Sequence, residues 1–131
     1  MTSRAWGSYF HRRWMAATLA ALVGVLTLTH IPQDALPPAL QKNTLDKVEH
    51  IAAYGLIAAF FLLSLRKPVR LVLALTGLAI LAAIAALDEL TQPLVNRQAG
   101  IGDYLADLVG MLLAGAAYLI LKQSRRRIAS S

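Results

Sequence analysis

Four stretches of the chain are apolar for long enough to cross a bilayer, and each is bounded by charged or helix-breaking residues. The first runs from Trp14 to Leu28 and continues through Thr29, His30 and Ile31. The second covers Val48 to Leu65. The third, Leu71 to Leu87, holds no charge at all, and the fourth, Tyr104 to Leu121, is interrupted only by Asp107. A bilayer core takes ~20 residues of helix, so the pattern predicts an all-α, polytopic membrane fold. Its four transmembrane helices, at about 14–31, 48–65, 69–87 and 104–121, form one small bundle as a single domain. Pro32, Pro37 and Pro38 prevent continuous helix across 32–45, because each ring removes a donor and clashes with the preceding turn. Arg66, Lys67, Pro68 and Arg70 form a tight basic turn between the second and third runs. A loop with Pro93, Arg97, Gly100 and Gly102 joins the third to the fourth. The basic start, with Arg4, His11, Arg12 and Arg13, has the look of a signal peptide. However, the apolar run leads into His30, Ile31, Pro32 and Gln33 with no small-x-small cleavage site, so an uncleaved first helix is expected.

Composition supports this reading. Of 131 residues 57% are hydrophobic and only 15% charged, which excludes a single soluble domain. There is no cysteine, hence no disulfide, thiolate metal site or cysteine nucleophile. A net charge of +6 would point to nucleic acid in a soluble chain, but here the charges sort by loop. Arg4, Arg12, Arg13, Arg66, Lys67, Arg70, Lys122, Arg125, Arg126 and Arg127 belong to one side, with no acid among them. The other side holds all seven acids with only Lys42, Lys47 and Arg97. Short basic loops stay in the cytoplasm. Both termini are therefore predicted cytoplasmic, in a bacterial inner membrane, with residues 122–131 as a basic tail and the acidic end outside. The charge reports topology, and no nucleic-acid partner is expected. Trp6, Phe10, Trp14 and Tyr118 fit an aromatic belt at the inner surface. Arg125 to Arg127 can attract anionic headgroups, at roughly 1 kcal/mol per residue.

The outer ends of three spans carry a polar constellation. Asp46, Lys47, Glu49, His50 and Tyr54 open the second span, with Asp46, His50 and Tyr54 within about 80° of one another on one helical face. Asp88, Glu89 and Gln92 end the third. Asp103 and Asp107, four residues apart, share a face at the start of the fourth, where Ala106, Gly110 and Ala114 make a small-xxx-small seam. A shared outward-facing cluster is expected, in which Asp107 either pairs structurally with Lys47 or Arg97 or serves a function.

The string Asp46, Lys47, two residues, His50, three residues, Tyr54 resembles the opening motif of the VanZ-like family of small bacterial membrane proteins. The second half is similar to it as well: Glu89 and Gln92 after a span, then Arg97, Asp103, Asp107 and Gly110. The two stretches cover roughly half the chain. In much of the family an aromatic residue and a Pro-Gly pair stand before the arginine, where this chain has Pro93, Val95 and Asn96; Asn is frequent at the place of Asp107. The resemblance implies a helical membrane protein and a role in glycopeptide response, since the family takes its name from a protein linked to low-level teicoplanin resistance.

Three readings of the cluster stand side by side. In the first, Asp46, Lys47, His50, Tyr54, Glu89, Gln92, Arg97, Asp103 and Asp107 bind an anionic, lipid-linked or cell-wall-related molecule, with the Arg97 fork and the Lys47 point charge taking the anion. In the second, the chain is an enzyme acting on a lipid or phospho-headgroup, with His50, Glu89 and Asp103 as candidate catalytic groups. A divalent metal on Asp46, His50, Glu89 and Asp103 is compatible with that chemistry but not required by it. All six serines lie on the cytoplasmic side, and Thr44 and Thr91 lack a recognisable activating set. In the third, the cluster is a network that fixes helix packing. The lipid bilayer is a partner in every case. A transporter of paired halves does not fit four spans without internal repetition, whereas a homo-oligomer remains open.

Overall fold

The computed structural model describes residues 9–35, 46–66 and 71–128, with the side chains of Gln33, Asp46, Arg125 and Arg126 outside that description. Arg4, Trp6, Lys42, Thr44, Lys67 and Arg70 therefore lie outside the described residues, as does the start of the third predicted span. Four long helices make up the described chain: α1 (Arg12–Thr29), α2 (Asp46–Ser64), α3 (Leu71–Thr91) and α4 (Ile101–Ile128). Short 3₁₀ turns at Gln33–Ala35 and Gln92–Val95 follow α1 and α3. The sequences are rich in Ala and Leu, strong helix formers, and proline is absent from all four helices.

The chain runs up and down. At one end, Arg66 donates its backbone N–H to Tyr9 O at 2.8 Å and His11 to Ser64 O at 2.6 Å, tying the start of α1 to the end of α2. At the opposite end, the close of α1 and of α3 meets the start of α2 and of α4. α2 and α4 thus run parallel and share the largest interface, α1 packs on α2, and α3 on both α2 and α4. The core lies mainly along α2. Tyr54, Ile57, Ala58, Phe61, Leu62 and Leu65 are buried at alternating spacings of three and one, the stripe of a helix covered on one broad face. Ala74, Leu81 and Ala85 of α3 and Met111 of α4 complete it.

Gly110 sets the α2–α4 distance. A Cβ there would meet the carbonyl oxygen of Ile51 and stand 2.9 Å from the Gly55 nitrogen, so only glycine permits this approach. The small-residue seam on α4 is a packing seam, and its partner on α2 is Gly55.

Burial is inverted relative to a soluble domain. Leu19, Val23, Leu75, Ile80, Leu112, Leu113 and Ile120 are exposed, while Ser64, Asp88, Glu89, Gln92 and Asp107 are buried. Such a surface fits lipid better than water. Among the described residues three helices are long and apolar enough to cross a membrane, over Lys47–Ser64, Leu71–Val95 and Ile101–Ser124. α1 carries Arg12 and Arg13 in its first turn and offers a shorter apolar run.

α3 differs from expectation in its end. Asp88 and Glu89 do not terminate the helix, which continues to Thr91. Pro93 then forbids further α-helix. The chain tightens into a 3₁₀ turn and reverses at Asn96, which takes the left-handed conformation (φ 61°, ψ 33°) that asparagine tolerates better than most residues. That reversal places Gly100 over the end of α3.

Candidate functional site

The centre of the polar end is a bond between α2 and α4. His50 Nδ1 lies 2.8 Å from Asp107 Oδ1, with the Asp107 side chain fully buried and that of His50 only 10% exposed. An ionised carboxylate only accepts, so in this bond the ring donates its Nδ1–H to Asp107. Asp107 is thus partnered by His50, and not by Lys47 or Arg97 as the structural pairing expected from sequence would have it.

Glu89 of α3 enters the same cluster, its Oε1 3.8 Å from His50 Nδ1. Its orientation is held from two sides. Gln92, one turn on, donates Nε2–H to Glu89 Oε1 at 3.1 Å, and the backbone N–H of Gly100 donates to Oε2 at 3.0 Å. The Gly100 bond exists because the Asn96 turn folds the 97–100 segment back. Gly100 also leaves room for Asp103, whose carboxylate occupies the space where a side chain at position 100 would begin. His50, Glu89 and Asp103 each bring one ligand atom to within 4.8 Å of the others. Asp107 Oδ2 is buried without a hydrogen-bond partner.

A second network lies beside the first and joins α1 to α3. Thr29 Oγ1 donates to Asp88 Oδ1 at 2.7 Å, His30 Nδ1 lies 3.4 Å from the same oxygen, and Tyr54 Oη of α2 reaches Asp88 Oδ2 at 3.5 Å. His30 Nδ1 is also 2.9 Å from the Leu26 carbonyl, and its Nε2 2.9 Å from Thr91 Oγ1. The Thr91 hydroxyl also lies 2.8 Å from Leu87 O and 3.0 Å from Asp88 O of its own helix.

The structure therefore brings together His50, Glu89, Gln92, Asp103 and Asp107 in one cluster and assigns Tyr54 to its neighbour. Arg97 is turned toward α1, its Nη1 3.3 Å from Leu28 O and 3.5 Å from Ile31 O. It lies at the C-terminal carbonyls of α1, where a cation is favoured, sharing Leu28 O with the Ile31 N–H. Lys47 is exposed, with its Cε and Nζ beside Gly102 at the start of α4. The side chain of Asp46 lies outside the described residues.

Sequence reasoning missed Thr29 and His30 as members of the polar end, considered Thr91 only as a hydroxyl without an activating set, and did not give Asp88 a site role. The available signal was positional: Thr29 and His30 close the first apolar run at the level where Asp88 closes the third. Gly100 was not legible as a donor, since its role depends on the turn at Asn96.

Compared with known protein families, with characterised proteins and with solved structures, the chain matches none.

Proposed function

We propose that the chain is a four-span inner-membrane protein with both termini cytoplasmic, whose polar end faces outward and binds the anionic headgroup of a lipid-linked envelope or cell-wall molecule. This is the role expected of a VanZ-like protein, and it implies a contribution to the glycopeptide response. The observation that carries the reading is the buried His50–Asp107–Glu89 cluster at one end of an apolar bundle, the end at which Lys47 opens α2 and Arg97 follows α3. Ionisable groups at membrane depth are costly, so their concentration at one end marks a place of use. Arg97 has five N–H donors, and its contacts to Leu28 and Ile31 use Nη1 alone among the described residues. The opposite end carries Arg12, Arg13, Arg66, Lys122 and Arg127, the side that short basic loops keep in the cytoplasm. α1 is the fourth span in this topology, its two arginines standing at the inner interface.

The test is teicoplanin susceptibility in a bacterium overproducing the protein. Wild type reduces susceptibility, and Arg97→Ala and Lys47→Ala abolish that effect at unchanged membrane levels. Variants that disappear from the membrane instead favour a packing network, and no effect from the wild type contradicts the proposal.

A second reading is favoured by the 2.8 Å bond from His50 to Asp107. A histidine so oriented is equipped for acid–base chemistry on a phospho-headgroup. Overproduction then changes the lipid profile and His50→Ala restores it; an unchanged profile removes this reading.

A further inference from the structure

The charges of the cluster do not balance among themselves. Glu89, Asp103 and Asp107 face one imidazole, and among the described residues His50 is the one basic side chain within 4 Å of a Glu89 or Asp107 oxygen. Arg97 is directed to α1. Buried carboxylates without countercharge are costly, and Asp107 Oδ2 is in addition a fully buried acceptor with no donor. Three residues from three different helices meanwhile bring ligand atoms to within 4.8 Å of one another.

We propose that His50, Glu89 and Asp103 bind one first-row divalent cation of the Zn²⁺ or Mn²⁺ type, with Asp107 as the positioning residue for His50. The inference rests on reading this cluster as a ligand-binding site and supplies the means by which an acid-lined site takes an anion. Imidazole together with carboxylate oxygens suits such ions better than Ca²⁺ or Mg²⁺, which favour all-oxygen shells. Bonds of about 2.0–2.2 Å place any two ligands within about 4.4 Å of each other, so side-chain rotation of less than about 1 Å closes the group on a cation. The surrounding bonds are those of a supported site. Asp107 holds the His50 ring through its 2.8 Å bond at Nδ1, while Gln92 and the Gly100 amide hold the Glu89 carboxylate. Gly100 leaves the space that the Asp103 carboxylate occupies. The cation's charge offsets the three acids, including the unpartnered Asp107 oxygen.

The experiment uses the full chain in lipid nanodiscs, stripped with chelator and titrated calorimetrically with Zn²⁺ or Mn²⁺ alone, with no added headgroup. Wild type takes up one equivalent. His50→Ala and Asp103→Asn weaken binding at least about 100-fold, and Asp107→Asn, which keeps the shape but alters the partner of Nδ1, weakens it about 10–100-fold. Asp34→Asn, an exposed acid outside the cluster, retains wild-type affinity. Absence of saturable binding up to about 1 mM, where binding free energy falls to roughly −4 kcal/mol, overturns the proposal. Equal binding by all variants also overturns it. Should the variants fail to fold, pulsed electron paramagnetic resonance of Mn²⁺-loaded wild type decides: one imidazole nitrogen coupling is expected, and its absence overturns the site. Cation binding without headgroup retention refutes the lipid reading alone.

Discussion

His50 of α2 and Asp107 of α4 are joined by a 2.8 Å hydrogen bond, one turn from where Gly110 rests against the α2 backbone at Ile51 and Gly55. The close approach of two parallel helices and the alignment of the buried pair are one feature: the glycine contact sets the distance across which the carboxylate reaches the ring.

Gly110→Ala therefore separates α2 from α4. Overpacking of this kind costs about 1–3 kcal/mol, more than the ~0.5–1 kcal/mol that alanine gains over glycine in a helix. Gly115→Ala, where an added Cβ meets nothing within 4 Å, is neutral or stabilising. Unfolding in mixed micelles, followed by loss of helical signal, compares the two. Equal midpoints for both variants contradict the packing account.

Replacing one member of the buried pair leaves the other without its partner. Asp107→Leu and His50→Leu each destabilise by about 3–5 kcal/mol, and the double variant is no worse than the better single one, because two apolar groups then replace the buried carboxylate and the donor it requires. The same unfolding measurement, arranged as a double-mutant cycle, checks this. Additive losses would show that the two side chains act independently.

Thr29→Val removes the 2.7 Å donor to Asp88 and loosens the end of α1 from α3, at a cost of about 1–3 kcal/mol. Amide exchange across residues 26–31 accelerates. Thr27→Val has little effect, since among the described residues that exposed hydroxyl bonds to Val23 O of its own helix alone. Similar exchange in the two variants would deny the interhelical role of Thr29.

Much of the fold was legible in the sequence because apolar run length and proline placement act locally. The run from Leu71 predicts α3, and Pro32 predicts the end of α1 near Thr29. The extension of α3 through Asp88 and Glu89 was not legible, since a charge ends a span unless partners elsewhere satisfy it. Here Thr29, Tyr54, His50 and Gly100 do so. The candidate site was legible as a set of residues at one level, but its pairing was not. Helical spacing assigns Asp107 and His50 to faces without stating which helices meet. The meeting of α2 with α4 involves Gly55 as well, where an added Cβ would stand 3.2 Å from Gly110 O, and only Gly110 lay in a recognisable small-residue pattern. Arg97 was expected to turn to an anion, and its contact with the α1 carbonyls depends on the Asn96 turn.

The proposed topology has its own check. A reporter active only outside the cytoplasm is silent when fused after Ser131 and active when inserted between residues 36 and 45. The reverse pattern would invert the bundle and place the cluster inside, against the charge distribution of the two ends.

The central claim, that this end of the bundle holds an anionic lipid-linked molecule, is tested most directly by native mass spectrometry of the gently purified protein beside its Arg97→Ala variant. The account predicts wild type carrying the added mass of one phosphate- or carboxylate-bearing lipid, and a folded variant without it. A wild type that arrives bare, or the same lipid on both proteins, would contradict it.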